Sequence, residues 1–304
     1  MSSETVLSTL LIITAVLVAF EVVLSISQDR KFYTFKDTLY NFYLMILNTG
    51  LAFIMLGVTI KVLDFFYQYS LPVYLNPFWY WLTLLVLLDL AYYALHVVDH
   101  QSRFFWAVHV THHNSELFNL TTGFRSSVFQ PLYRFVYFIP LSLLGFKSID
   151  ILFMHSLCQT WGILVHTKYI NRLPAWVEYI FVTPSHHRVH HASNVLYLDR
   201  NMGMFLIIWD RMFGTFQDEV EWEQIKYGLT KNIEKMTPLT VWNHEWIAIW
   251  NDMKRSPKWS DKLKYVFYPP GWSHDGSSKT SNELRAEMYP VLDPGSTAIG
   301  TPEH

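Results

Sequence analysis

The stretch LHVVDHQSRFFWAVHVTHHNSE, residues 95–116, continues without a break from an apolar run at residues 78–95 and fills with histidine as soon as that run ends. His96 and His100 stand four apart, and His109, His112 and His113 stand at i, i+3 and i+4. On a helix each set shares one face. The phrase TPSHHRVHHASN, residues 183–194, repeats the second spacing with His187, His190 and His191 and adds His186; His166 ends another apolar run in the phrase LVHTKYINR. Neutral imidazole is a ligand for Fe, Zn, Cu and Ni. Eight or nine such ligands are too many for one ion, so the pattern predicts a site for two. Isolated histidines read differently: His155 as a satisfied core residue, and His244, His274 and His304 as solvent-side.

Working outward, residues 6–27 form an apolar run long enough for a helix across a bilayer, which needs about 20 residues. Residues 39–60 carry no charge, and residues 78–95 are introduced by Asn76-Pro77, a helix-start pair. The runs 128–146 and 149–165 are shorter, with Pro140 inside the first and GFKSID between them, and read as two tilted spans or one re-entrant hairpin. The expected fold class is therefore an all-α integral membrane protein with about four to five transmembrane or re-entrant helices and a cytoplasmic, helical, histidine-rich metal domain. Arg30, Lys31 and Lys36 lie in the first loop, whereas residues 64–77 hold no basic side chain. The positive-inside rule then puts the first loop, and every histidine cluster, on the cytoplasmic face of a multi-pass protein.

Composition agrees with this division. Of the 304 residues 51% are apolar and 16% charged, against about 25% charged in soluble domains. Residues 1–150 carry 17 charged side chains and residues 151–304 carry 31. The expected organisation is transmembrane helices at 1–98, a di-metal catalytic region with its membrane hairpin at 99–216, and a polar C-terminal region at 217–304 with a disordered tail after Pro290. One cysteine, Cys158, excludes an intramolecular disulfide and a thiolate metal site. A net charge of −2 gives no attraction to nucleic acid. Trp242, Trp246 and Trp250 repeat every four residues and read either as an interfacial stripe or as core.

The phrases HVVDH, HVTHHNSELFNLTTGFRSS, HHRVHHASN and DRNMGMFLIIWDRMFGTF resemble the membrane fatty acid hydroxylase and sterol desaturase superfamily, and within it most closely the alkylglycerol monooxygenase branch with its bacterial sterol desaturase-like members. The resemblance implies a non-haem di-iron oxygenase that hydroxylates a fatty acyl, alkyl ether or sterol-like membrane lipid. It would use O₂ and an external donor: a ferredoxin, a cytochrome or a reduced pterin. Two Fe ions, replaceable by zinc in purified protein, would be held by His96, His100, His109, His112, His113, His166, His187, His190 and His191. Gly162 stands where some members have a further histidine, four before His166, leaving His186, Gln159 or water to complete that ion. A desaturase on the same site is the alternative, and a zinc hydrolase a more distant one; a transporter fits poorly, because the histidines gather at helix ends. Ligating imidazoles need acceptors for their outer N–H groups. The nearest in sequence are Asp99, Glu116, Asp199 and Asp210, followed by Asn114 and Asn194; Arg125 and Arg188 read as contacts to a lipid phosphate or as snorkelling side chains.

Overall fold

The computed structural model describes residues 2–71 and 74–290. The expected disordered tail and His304 lie outside the described residues. The chain opens with three long apolar helices, α1 (Ser3–Ser27), α2 (Phe35–Tyr67) and α3 (Pro77–Gln101), each long and apolar enough to cross a membrane. Their starts are written locally. The side chains of Ser2, Thr34 and Asn76 accept backbone N–H groups of the first turns, and Pro77 occupies the first turn of α3. Outward apolar side chains such as Leu11, Ile46 and Phe53 are exposed, as lipid-facing ones must be.

A short helix α4 (Arg103–His113) turns off the end of α3 at Ser102, whose backbone is extended. The chain then enters 3-10 turns at Leu120–Phe124, Gln130–Leu132 and Arg134–Phe138, followed by α5 (Ile139–Leu143) and α6 (Ser148–Leu164). Pro131 and Pro140 keep the first arm of this hairpin from becoming one regular α-helix. The 3-10 turns rise about 2.0 Å per residue against 1.5 Å in an α-helix, so fewer residues cover the same height. Leu71 N, in the α2–α3 connection, donates to Leu143 O at 3.1 Å. Tyr80, near the start of α3, donates to Asp150 at 2.8 Å. The hairpin tip therefore lies level with the α2–α3 connection, and both arms run alongside α3. Leu63, Leu84, Leu88, Phe138, Phe146 and Ile151 form the core between them.

Beyond the hairpin come α7 (Ala175–Ile180), α8 (Pro184–His190), α9 (Ile208–Phe213), α10 (Thr240–Arg255), α11 (Trp259–Phe267) and α12 (Ser281–Met288). The described residues are helices, turns and loops with two isolated β-bridges. The tryptophan stripe divides: Trp242 and Trp246 are half-buried against Phe129 and Phe104, while Trp250 is exposed.

Buried polar groups pin the membrane helices to the histidine-rich layer. Glu21 of α1 accepts from Tyr33 OH (2.7 Å), Leu120 N (3.1 Å) and Thr167 Oγ1 (2.6 Å). Asp89 of α3 accepts from Phe205 N, Leu206 N and Trp209 Nε1 at 2.9–3.0 Å. An acid inside an apolar helix is costly unless its oxygens are satisfied, so each marks a fixed contact. These contacts bring the histidine-bearing loops to the end of the bundle where Arg30, Lys31 and Lys36 lie.

Candidate metal centre

The last turns of α3, all of α4, the residue pair after α6 and the whole of α8 meet at that end. Nine imidazoles converge there in two groups. His96, His100, His109, His113 and His190 offer one nitrogen each within 4.8 Å of one another, and His112, His166, His187 and His191 form a second such group. Each i, i+3, i+4 motif is divided between the groups. Residues i and i+4 differ by about 40° around a helix, whereas i+3 lies about 60° to the other side. Hence His109 and His113 point into the first group and His112 into the second, while His187 and His191 point into the second and His190 into the first. The groups adjoin through His113 and His191, whose rings stack at 4.5 Å.

Hydrogen bonds fix which nitrogen faces inward. Nδ1 of His96 lies 2.7 Å from Met202 O, that of His112 2.9 Å from Arg125 O, that of His166 2.6 Å from Gly162 O and that of His190 3.0 Å from Arg200 O. A carbonyl only accepts, so each of these Nδ1 atoms carries the proton and Nε2 is left with a lone pair. His100 Nδ1 meets Asp199 at 3.0 Å, and His109 Nδ1 meets Ser127 Oγ at 3.0 Å with Asp99 at 3.7 Å. The inward Nε2 atoms then approach one another: 3.0 Å for His96 and His109, 2.9 Å for His166 and His187, and 3.1 Å for His166 and His191. His100 Nε2 and His190 Nε2 are buried with no partner. Lone pairs facing each other at such distances repel unless a cation lies between them. Ligands about 2.1 Å from one ion are about 3.0–3.4 Å apart in octahedral or tetrahedral geometry, so the spacing fits nitrogens that share a metal ion.

Burial makes the rings ready ligands. It is the largest cause holding His109, His113, His187, His190 and His191 well below the ordinary histidine range, with crowding by neighbouring imidazoles adding to it. Burial also brings His112 down to about 4. In metal-free protein the unfolded chain takes up these protons near pH 6.5 and the folded chain does not, so folding stability falls as pH drops below that value. Thermal unfolding of chelator-stripped protein is expected to show a steadily lower melting temperature from pH 7.5 to pH 5. A flat or rising profile would contradict neutral imidazoles.

The structure corrects several expectations. His186, one residue round from His187, points out of both groups, with its Nε2 3.3 Å from Glu178. Gln159 lines a neighbouring cavity, and the fourth member of the second group is His112. Gly162 contributes through its carbonyl. Glu116 follows the end of α4 and is exposed, away from the imidazoles. Asn194 binds Gln224 O and Lys226 N and so anchors the C-terminal region. Asp210 is one step removed from a histidine: it holds Met202 N (2.6 Å) and Gly203 N (2.8 Å), and Met202 O holds His96. Gly203 is required there, because a Cβ would lie 2.5 Å from Leu206 O. Arg125 and Arg188 are buried and face protein. Arg188 pairs with Glu219 at 2.7 Å, and Arg125 binds Asn41, Asn114 and Thr111 O. His155 is buried between Phe138 and Tyr92 with neither ring nitrogen hydrogen-bonded, so it is core but not satisfied. His244 and His274 are half-buried, bonded to Thr240 O and Tyr265 OH.

Sequence reasoning missed Ser127, Met202 and Arg200, the last two acting through carbonyls that every residue possesses. Asp199 and Asn201, with φ of 53° and 56°, flank Arg200 in the left-handed region. That costly conformation turns the Arg200 carbonyl to His190. Asp199→Ala is expected to weaken cation binding in the first group by about 10–100-fold and to leave the second unchanged, as read by competition with a chromophoric chelator. Equal weakening of both groups would refute that placement of His100.

Two cavities flank the imidazoles and share none of them. One of about 310 Å³ touches His96, His109, His112, His166 and His187 and runs towards Leu11 of α1 and Met45 of α2. The other, about 800 Å³, touches His100, His113, His190 and His191 and is walled by residues 228–235 and parts of α10 and α12.

Comparison with known proteins adds an independent line. Alkylglycerol monooxygenase of Xenopus tropicalis is 40% identical over 159 residues, covering 52% of this chain and 34% of that protein. The Homo sapiens protein of that name is 39% identical over the same length. Ornithine lipid hydroxylase OlsE of Rhizobium tropici is 31% identical over 97 residues, 32% of this chain and 29% of that one. The matched stretch thus spans about a third of each relative's own length. No solved structure matches. Residues 81–215, which run from α3 through the hairpin to the loop after α9, match the family model of fatty acid hydroxylase, so that region of the chain is similar to that family.

Proposed function

We propose that the chain is a membrane-bound, two-metal lipid monooxygenase with its centre on the cytoplasmic face. The observation that carries this reading is the pair of adjoining all-imidazole groups, in which backbone carbonyls anchor the outward Nδ1 atoms of His96, His112, His166 and His190 and leave their Nε2 atoms facing inward. The family match and the lipid-oxidising names of its relatives support it. His96, His100, His109, His113 and His190 would hold one iron, and His112, His166, His187 and His191 the other. Bound iron supplies O₂ activation at a C–H bond. In balance, one oxygen atom enters the C–H bond and the other leaves as water, with two electrons and two protons drawn from an external reductant.

The residues of the chain do the rest. The cavity towards Leu11 and Met45 would admit an apolar chain from the bilayer, and the cavity walled by residues 228–235 would face the electron donor. The anchored Nδ1 atoms of His96, His112, His166 and His190 keep those rings' orientation fixed through the reaction. The basic α1–α2 loop at the same end supports the cytoplasmic placement. Membranes expressing the wild-type chain or His190→Ala, supplied with ¹⁸O₂ and a cell lipid extract, test the reading by mass spectrometry. A lipid gaining one ¹⁸O with wild type alone is expected; loss of two hydrogens without label would replace hydroxylation by desaturation.

A further inference from the structure

Of the arginines buried or half-buried around the centre, three are paired with carboxylates, and Arg200 reaches Gly214 O. Arg103 pairs with Glu245 and Asp252, Arg188 with Glu219, and Arg125 with a shell of amides and Asp37. Arg134 differs. It sits in the first arm of the hairpin, between the metal layer and the hairpin tip, and lines the smaller cavity. Its one protein hydrogen bond among the described residues is Nη1 to Gln130 Oε1 at 3.5 Å, and no carboxylate lies within ion-pair distance. A guanidinium inside a membrane bundle with no anion in direct contact, Asp99 being reached only through Gln130, is costly and marks a functional position. Its remaining N–H groups form the planar fork that suits phosphate or carboxylate.

The surroundings give that pole a direction. Gln130 Nε2 donates to Asp99 at 2.8 Å, Tyr133 OH donates to the other Asp99 oxygen at 2.7 Å, and Asp99 lies 3.7 Å from His109. Three side-chain contacts therefore connect Arg134 to a ring of the first imidazole group. Tyr92 and Gln159 add polar groups to the same cavity, while Leu11, Met45 and Met204 make its far wall apolar. A volume of about 310 Å³ is at the small end for a ligand pocket. That volume suits a polar group with its first carbons, the rest of a chain extending towards Leu11 and Met45.

We propose that Arg134 is the anion-binding pole of this cavity, and that the lipid taken by the chain is an amphiphile carrying a phosphate or carboxylate a few bonds from the carbon that meets the histidines. The assignment rests on the lipid-oxidising reading above but predicts binding that does not need turnover. The chain positions the lipid by its charged end, and the bond attacked is near that end and not deep in the tail.

Full-length protein in phosphatidylcholine nanodiscs, titrated by native mass spectrometry with palmitoyl lysophosphatidate, palmitate and monopalmitoylglycerol, tests this directly. These probes share the acyl chain and differ in charge. Wild type is expected to bind one or both anions at least about tenfold more tightly than the neutral glyceride, the ratio one charge-assisted pair supplies. A preference for lysophosphatidate identifies phosphate as the group read, and one for palmitate identifies carboxylate. Arg134→Gln is expected to remove the preference and Arg134→Lys to retain part of it. Chelator-stripped wild type is expected to keep it, which separates Arg134 from an anion bound at the ions. Equal binding of all three probes by wild type overturns the inference whether or not any variant folds, as does an unchanged preference in a folded Arg134→Gln. Metal content measured on the same samples reports separately on the two-metal reading, so each can fail alone.

Discussion

Replacing His112 by alanine is expected to reduce lipid oxidation at least about a hundredfold and to remove one of the two ions, while the chain still inserts and keeps its helical content. His112 is the ring that leaves its own motif to complete the second group, and its Nδ1 is held at 2.9 Å by Arg125 O. Removing it leaves His166, His187 and His191, three ligands where there were four. The membrane helices do not depend on it, because α1, α2 and α3 are held to this layer by Glu21, Asn41 and Asp89. Metal analysis together with an activity assay on the purified variant checks both halves. An active His112→Ala retaining two ions would place the second ion elsewhere.

Arg125→Met is expected to destabilise the folded chain by about 3–5 kcal/mol, the cost of breaking a buried charge network by removing one member. The guanidinium is wholly buried, and burial lowers its pKa to about 10, still a cation at neutral pH. It donates to Thr111 O and Asn114 Oδ1 at 2.9 Å and to Asn41 Oδ1 at 2.8 Å, with Asp37 at 3.5 Å. Methionine fills comparable volume but leaves those acceptors unpaired in a dry environment. Arg125→Lys is expected to recover little, since an ammonium cannot span the fork. Thermal unfolding in detergent is the measurement, with a melting temperature lower by on the order of 10 °C. A shift under about 2 °C would mean water reaches the site and replaces the guanidinium.

How much of this was legible in the sequence depends on which physical signal each part leaves there. The three apolar helices declare themselves by length and uncharged composition, and the imidazole layer by a spacing that surface residues have no reason to repeat. The division of each i, i+3, i+4 set between two imidazole groups is implicit in the 100° step of a helix but needs the facing helix to show which side each ring meets. His186 and Glu116 illustrate the opposite error. Adjacency in sequence was read as adjacency in space, yet one residue turns His186 towards Glu178, and the end of α4 at His113 frees Glu116 to the surface. Arg125 and Arg188 looked like headgroup contacts because arginine beside a membrane run has that ordinary use; only tertiary packing shows that Asn114, Asn41 and Glu219 enclose them. The carbonyls of Met202, Arg200, Arg125 and Gly162 leave no trace in side-chain identity. The hairpin was ambiguous for a related reason, because Pro131 and Pro140 shorten the regular helix without shortening the height the 3-10 turns achieve.

The central claim is that two ions sit side by side, one in each imidazole group. Anomalous scattering from crystals of the iron-loaded protein, collected on both sides of the iron K edge, tests it most directly. The account predicts two iron peaks per chain, one among His96, His100, His109, His113 and His190 and the other among His112, His166, His187 and His191. A single peak, or a second peak beside His186 and Glu178, would contradict it.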